Sequence, residues 1–533
     1  MKVFKKLFGN IFFFLFCALV LAVSFDGLVG NPTAQQLNQS AWLSPFDSSN
    51  ERGRYALLHS VVEDKSFQFS EDLARFSLPD LAYIDGKFVS LFAPGVSFIV
   101  MPGYLVGKYF GVAQLGTFAV VALFALFNVW LIRKIAVAMG AKPLAGTIAS
   151  LAFLVASPAF AYATSLSQHH ISTALLLAAV FLLIRFNNFF SLFAIWFLFA
   201  ASIAVDYPNA FMMLPIVIFA SWRMINVERL RNALEVKINF LKVVSVVGVI
   251  IPIILFLAFN NASFGSPFQL SGTLERVTEI ENGKPAFDRE ISIEESEKAR
   301  KEGTESSKGT VGFFNSRILM DGFYVHFFSP DRGMITYTPI MLLGFLGLIV
   351  ASRKNVAYTG LLFAVIGINI LLYSMWADPY GGWSFGSRYL IPSYAFLSVF
   401  IALLLTYWRK SILFLLTFFV LFIYSTGINT LGALTDSNNP SRIEAEFLSR
   451  EMHIPVKYTY ERNLDALNSN GSQTFVYHTY AGNNVSGWNY YLSITLFIVI
   501  IMAFLILFYN VSVRREGRVA KEKSVIAHGG LKK

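Results

Sequence analysis

Long apolar runs recur along this chain, joined by short basic connections that alternate with longer polar ones. A bilayer-spanning helix needs roughly 20 apolar residues. Runs near that length lie at about 12–29, 113–132, 143–163, 171–186, 189–205, 208–222, 238–259, 334–351, 356–376, 389–407, 411–432 and 490–511. They predict about twelve membrane-spanning helices. Two pairs are short and nearly fused, at Asn187-Asn188 and at Asp206-Tyr207-Pro208. The stretch 94–110 is apolar but broken by Pro94, Pro102, Gly103 and Gly107. It reads as a helix lying at the external interface, or re-entrant against protein.

Charge placement orients this pattern. With the amino terminus inside, the cytoplasmic connections fall at Arg133-Lys134 through Lys142, at Arg185, at Arg223 through Lys237, at Arg353-Lys354, at Arg409-Lys410 and in the tail from Arg514. Each is basic, as the inside of a membrane protein requires. Counting 94–110 as a span would invert every later loop. An even number of spans puts both termini in the cytoplasm. The first run follows Lys2, Lys5 and Lys6 and exceeds the ~7–15 apolar residues of a cleaved signal, so it reads as a retained anchor.

Three external segments are long. In the first, 31–92, Tyr55–Val62 has the pattern of an amphipathic helix, and Asp85-Gly86 between Ala82-Tyr83-Ile84 and Lys87-Phe88-Val89 predicts a hairpin. The second, 260–333, includes a charged run from Glu275 to Lys308 expected to be mobile. The third, 433–488, is a polar loop or small cap. The domain reading is therefore a transmembrane catalytic region over 1–432, this cap, and a last helix with a basic tail over 489–533. Composition agrees: 55% of the 533 residues are hydrophobic and 14% charged, with 54 phenylalanines. That excludes an ordinary soluble protein. The net charge of +10 is that of the basic cytoplasmic loops. No basic stretch interleaved with aromatics supports nucleic-acid binding. Cys17 is the single cysteine, so no internal disulfide forms. No Walker A or dinucleotide motif appears.

The chemistry-bearing residues gather at external helix ends. Glu51, just past the first helix, shares a helical face with Arg54, which Tyr55 follows. A carboxylate at the membrane surface can take a proton from an acceptor hydroxyl while a neighbouring cation meets a phosphate; a solvated glutamate is the plain alternative. Gln168-His169-His170 lies at the external end of the third span. Adjacent helical residues point ~100° apart, which disfavours one metal bound by both. One histidine facing a polar cavity and two histidines at a wet interface are both open. Ser329-Pro330-Asp331-Arg332-Gly333 fits a helix start, or Arg332 facing a lipid phosphate. The stretch Asp378 to Tyr389 holds Gly381, Gly382, Trp383, Gly386 and Arg388. Its glycines permit close backbone approach, its aromatics stack on sugars or polyprenyl chains, and Arg388 is a bidentate phosphate donor; an aromatic belt with a snorkelling arginine is the alternative. Asp206 lies at the external mouth of two helices. Asn38, Asn261, Asn470 and Asn484 sit in glycosylation-acceptor triplets on the expected external side.

On these residues the chain resembles the GT-C superfamily of polyprenyl-phosphate-dependent glycosyltransferases, in the family 39 type branch of protein O-mannosyltransferases and lipid A aminoarabinose transferases. In that branch an acidic residue after the first helix is followed three positions on by Arg-Tyr, here Glu51 and Arg54-Tyr55. A small amphipathic helix, an aspartate-containing turn and a Lys-Pro-Pro/Gly element follow, similar to Ala56–Val62, Tyr83–Phe88 and Ala93-Pro94-Gly95. Two positions depart from the pattern: Glu51 stands for the usual aspartate and Ala93 for the usual lysine, with Lys87 a candidate substitute.

The resemblance implies an all-α polytopic GT-C fold with a mixed extracytoplasmic first loop. It implies an inverting transfer of a hexosyl or pentosyl group from a polyprenyl-phosphate-linked sugar donor to a protein, lipid or glycan acceptor, on the extracytoplasmic side of a prokaryotic plasma membrane. Glu51 would be the base. Arg54, Tyr55, Lys87, His169, His170, Arg332, Trp383 and Arg388 would bind substrate, with no metal and no cofactor. Its lasting partners would be membrane lipids. A transporter or flippase of lipid-linked saccharides would use the same cationic and aromatic cavity without needing a base.

Overall fold

The computed structural model describes residues 2–39, 45–46, 48–229, 234–287 and 314–529. Helices dominate, with three small antiparallel hairpins as the only sheets among the described residues. Each predicted apolar run holds a helix. Five are long and apolar enough to cross a membrane: Ala113–Ala138, Phe240–Phe264, Arg388–Tyr407, Ile412–Leu434 and Gly487–Val511. The chain is an integral membrane protein on that ground. The other seven apolar helices have 10–17 residues, short of a full crossing by length alone, so helix length does not set the span count at twelve.

The elements that position the site come from the first half. They are α1 (Lys2–Ala22), α2 (Ala34–Gln39), α3 (Ser49–His59), α4 (Glu71–Ser77), β1 (Leu81–Ile84), β2 (Lys87–Ser90), α5 (Gly95–Tyr109), α6 (Ala113–Ala138), α7 (Pro143–Val155), α8 (His169–Arg185) and α9 (Phe189–Val205). Helix α1 stops at Ala22, short of the expected residue 29. Ser24 turns its hydroxyl back onto the Val20 carbonyl at 2.9 Å, and Gly27 follows at φ 143°. Helix α7 stops at Val155, short of 163, because Ser157 precedes Pro158 and cannot stay helical comfortably.

Two apolar cores are distinct. The larger fills the helical bundle around the helix Ile391–Tyr407, whose residues Ile391 to Leu405 are all buried. A helix apolar on every side belongs in the middle of a bundle. Neighbouring backbone reaches it closely: a Cβ on Gly347 would lie 2.3 Å from the Phe400 carbonyl oxygen. The smaller core lies under the first loop, where Tyr55, Leu58, Phe76, Leu81 and Val89 pack with Val96, Phe118 and Phe264. The Asp85-Gly86 hairpin forms as its sequence predicts, pairing Ile84 with Lys87, with both turn residues at positive φ. The amphipathic helix begins earlier than expected, at Ser49, and ends in a π-helical turn, Ser60–Asp64.

The broken run 94–110 is one continuous helix, α5, with Pro102 inside it. It folds back on α6 through a stripe of glycines. A Cβ on Gly103 would sit 2.2 Å from the Gly116 carbonyl oxygen, and one on Gly107 would sit 2.9 Å from Gly116 Cα. Small residues at such a crossing let two backbones touch inside lipid. Of the charged run Glu275 to Lys308, residues 288–308 lie outside the described residues; Val277–Glu281 and Lys284–Phe287 pair as strands. Two short helices, Arg442–Met452 and Tyr460–Asn470, lie in the third polar segment.

Gly103→Ala tests the crossing. It should destabilise the protein by about 1–3 kcal/mol through overpacking, read as a lower unfolding midpoint in detergent. Gly367→Ala, where a Cβ meets nothing within 4 Å, should lose nothing and gain up to about 1 kcal/mol of helix propensity.

Candidate active site

The site is built around the first turns of α3. Ser49 hydrogen-bonds the Asp80 carboxylate, which also takes Arg276 Nη2 at 2.9 Å, so the helix start is clamped to the loop after α4. Glu51 lies in this first turn, where a carboxylate complements the helix dipole, and is 1% exposed. One turn on, Arg54 is 4% exposed, its guanidinium 4.7 Å over the Phe92 ring. Such burial is costly for a permanent cation. Burial, with the like charge of Arg388 adding to it, pulls Arg54 down to about 10 against the attraction of Asp206, Glu51 and Asp80.

Helix α5 brings the opposing carboxylate to Arg54. Ser97, in its first turn, donates its hydroxyl to the Arg54 carbonyl at 2.8 Å. Gly95, two residues earlier, lies against the end of α9, where a Cβ would be 2.5 Å from the Ala204 carbonyl oxygen. Asp206 follows at the C-cap of α9, and its charge is the leading attraction on Arg54. Gln168, at the N-cap of α8, hydrogen-bonds the Asp206 carboxylate. Burial pushes Asp206 up to about 6, although Arg54, Gln168 and Arg388 all favour its charged form.

The third wall is the loop 378–389. Asp378 folds its start by accepting the Tyr380 and Gly382 amides at 3.1 and 2.6 Å. Gly381 and Gly382 both adopt positive φ. Arg388 donates to the Gly381 carbonyl at 2.7 Å, and its electrostatic neighbours include Glu51, Tyr162, Tyr389 and Asp378. Tyr389 stacks on Tyr373 with ring centres 4.2 Å apart, and His169 meets the edges of Tyr162 and Tyr389 at 5.4 and 6.3 Å. Glu51, Arg54, His169 and Arg388 thus converge from three separate parts of the chain, with Asp206 among them.

The three arginines differ in how their donors are engaged. Arg332 is 1% exposed and donates to four carbonyl oxygens: Tyr380 at 3.1, Asp331 at 2.8, Gly382 at 3.0 and Asn439 at 2.8 Å. Its donors are engaged in fixing the loop 378–389, which corrects the expectation that Arg332 faces a phosphate. Among the described residues Arg54 donates once, at 3.4 Å to the Asn50 carbonyl, and its buried Nε has no hydrogen-bond partner. The Nε of Arg388 is likewise unpartnered. A guanidinium carries five donors. Buried donors without acceptors cost free energy that an incoming anion returns.

Four other expected contacts are redirected. His170 bonds the Ala159 carbonyl at 2.7 Å through Nε2 and meets Asn128 through Nδ1 at 3.2 Å, so it ties α8 to the 156–163 turn. Its neighbour His169 keeps an unpartnered Nε2. Tyr55 is fully buried against Phe46 and Tyr104, at 4.6 and 5.8 Å, and burial raises its hydroxyl well above the usual tyrosine range. Lys87 is exposed at the start of β2, opposite Ile84. Trp383 lies under the Arg462 guanidinium at 5.6 Å. The sequence offered no sign of His326 or Tyr373, whose side chains back the same aromatic wall. His326 Nδ1 meets Ser387 Oγ at 2.8 Å.

No protein-family model matches the chain, and no curated protein matches it. Solved structures give three likenesses. The chain is similar to ArnT from Cupriavidus metallidurans in the apo state (TM-score 0.44, 11% identity, 93% of this chain and 77% of that one). For ArnT bound to undecaprenyl phosphate the TM-score is 0.44 and the identity 11%, over 97% of this chain and 79% of that one. It is also similar to the archaeal oligosaccharyltransferase AglB from Archaeoglobus fulgidus, in complex with an inhibitory peptide and a dolichol-phosphate (TM-score 0.43, 10% identity, 86% of this chain and 56% of that one).

The contrast between the arginines is measurable. Arg332→Met orphans four carbonyls and should cost more than about 3 kcal/mol. Arg54→Met should cost about 3 kcal/mol near neutral pH by a different route, leaving Glu51 and Asp206 to face Arg388 alone, and the cost should shrink in acid, whereas that of Arg332→Met should not. Thermal unfolding in detergent, followed by circular dichroism, reads both.

Proposed function

We propose that this chain is a membrane glycosyltransferase of the GT-C type that moves a sugar from a polyprenyl-phosphate donor to an acceptor hydroxyl. The observation that carries this reading is the pair of arginines, buried Arg54 and half-buried Arg388, each with an unpartnered buried Nε and with Glu51 among the charges acting on it. Fixed cations suit a phosphate whose negative charge grows as the bond to the sugar breaks. The sequence resemblance at Glu51, Arg54-Tyr55 and Pro94-Gly95 supports the same reading.

In this mechanism the donor phosphate lies between Arg54 and Arg388, and the sugar extends toward His169, Tyr162 and Tyr389. Glu51 takes the proton from the acceptor hydroxyl. The acceptor oxygen bonds to the anomeric carbon as the bond to the phosphate oxygen breaks, and the electron pair leaves on the polyprenyl phosphate. One displacement inverts the configuration. The leaving group is a stable anion, so no strong acid is required. The basic connections support an extracytoplasmic site with both termini inside.

Glu51→Gln separates transfer from transport. Turnover from a radiolabelled polyprenyl-phosphate sugar should fall about a hundredfold or more, while donor binding stays within a few-fold of wild type. Arg388→Ala should weaken donor binding itself. Equal transfer by Glu51→Gln and wild type would dismiss Glu51 as the base. Donor crossing the bilayer without transfer would make the chain a flippase.

A further inference from the structure

Among the described residues Arg388 donates to one carbonyl, that of Gly381, at 2.7 Å. Gly381 is also the surface on which it rests. A Cβ there would lie 3.3 Å from Arg388 Nε and 3.1 Å from the Tyr389 ring. The direction of the guanidinium therefore depends on how the peptide between Gly381 and Gly382 is turned. Both glycines hold positive φ, 75° and 63°, and with no Cβ on either side that peptide has few steric limits on its rotation.

Asp378 removes this freedom. Its Oδ2 accepts the Gly382 N–H at 2.6 Å, and its Oδ1 accepts the Tyr380 N–H at 3.1 Å. The Asp378 carbonyl takes the remaining amide, Gly381 N–H, at 3.2 Å. The Gly382 N–H and the Gly381 carbonyl belong to one planar trans peptide, so they point to opposite edges of the same plate. Asp378 grips one edge and Arg388 is bound to the other. A hydrogen bond to a carboxylate is stronger than one to a neutral oxygen, and bonds in series polarise one another. The carboxylate thus reaches the arginine through a peptide, which orients the cation and leaves its buried Nε without a partner.

We propose that Asp378 is a positioning residue that aims Arg388 at the donor phosphate through the Gly381–Gly382 peptide. The inference rests on the reading of Arg388 as part of the phosphate site. Arg332 has a separate task in the same loop. It holds the flanking carbonyls of Tyr380 and Gly382 at 3.1 and 3.0 Å, and so fixes the course of the loop on either side of the plate. Loss of Asp378 would free the plate while Arg332 keeps the loop in place. Asp378 is itself exposed, so its truncation leaves no buried cavity.

The test uses the full-length protein in detergent and two ligands of equal chain length, a polyprenyl phosphate and the matching polyprenol. Their affinities differ only through the phosphate. Asp378→Ala should weaken the phosphate about tenfold and leave the alcohol within about twofold of wild type. Asp378→Asn, which keeps one acceptor oxygen, should fall between, and it carries the same comparison should Asp378→Ala not hold its fold. On an Arg388→Ala background, Asp378→Ala should take nothing further from phosphate affinity, because its effect passes through Arg388. Equal losses for phosphate and alcohol would make Asp378 a structural part of the loop and overturn the inference. So would a folded Asp378→Ala with wild-type phosphate affinity, or a full further loss on the Arg388→Ala background. Arg388→Ala that binds the phosphate as wild type does would instead overturn the phosphate site itself, and the inference with it.

Discussion

Keeping the Arg54 guanidinium out of water, with the like charge of half-buried Arg388 acting on it, is the constraint on which the site depends. Its burial is costly alone, and the two cations repel. The protein meets this cost with carboxylates from separate elements, Glu51 on the same helical turn as Arg54 and Asp206 at the end of α9. It does not meet it with hydrogen bonds. Arg332, nearby and as deeply buried, shows what a fully hydrogen-bonded arginine looks like in this fold, with four carbonyl acceptors. Long-range balance without saturated hydrogen bonding leaves donors of Arg54 and Arg388 without acceptors among the described residues. It also makes their surroundings sensitive to every charge that enters.

The scaffold holds that balance by joining two cores. Glu51 and Arg54 belong to the small core under the first loop, while Arg388 heads the central helix of the bundle. Two devices fix one against the other. The glycines of α5 let its backbone meet α6 and the end of α9 directly, and Arg332 staples the loop 378–389 to the segment at Asn439. That segment also binds the loop through the Ser384 amide, at 2.8 Å to the same Asn439 carbonyl. The cap and the loop that carries Arg388 are therefore mechanically one unit.

Much of this was legible in the chain before the structure. Apolar length located the helices, and Asp85-Gly86 located the hairpin, because local turn chemistry is written in adjacent residues. Glu51 and Arg54 stood out because helical spacing puts them on one face. What the chain did not reveal was the state of each donor. Arg332 and Arg388 look alike as arginines after turns beside helix starts, and only the path of the 378–389 backbone gives one four carbonyls and the other one. His169 and His170 diverge for the same reason, since Asn128 and the Ala159 carbonyl capture only the second. Asp206 was visible as a charge between two helices. Its pull on Arg54 depends on Gly95, more than a hundred residues away, whose role at Ala204 is a matter of missing volume and not of any motif.

The two carboxylates differ in their place on a helix. Glu51 sits in the first turn of α3, where a negative charge complements the helix dipole. Asp206 sits at the opposite kind of terminus, the carboxyl end of α9, where the helix dipole disfavours a negative charge and burial adds to the cost.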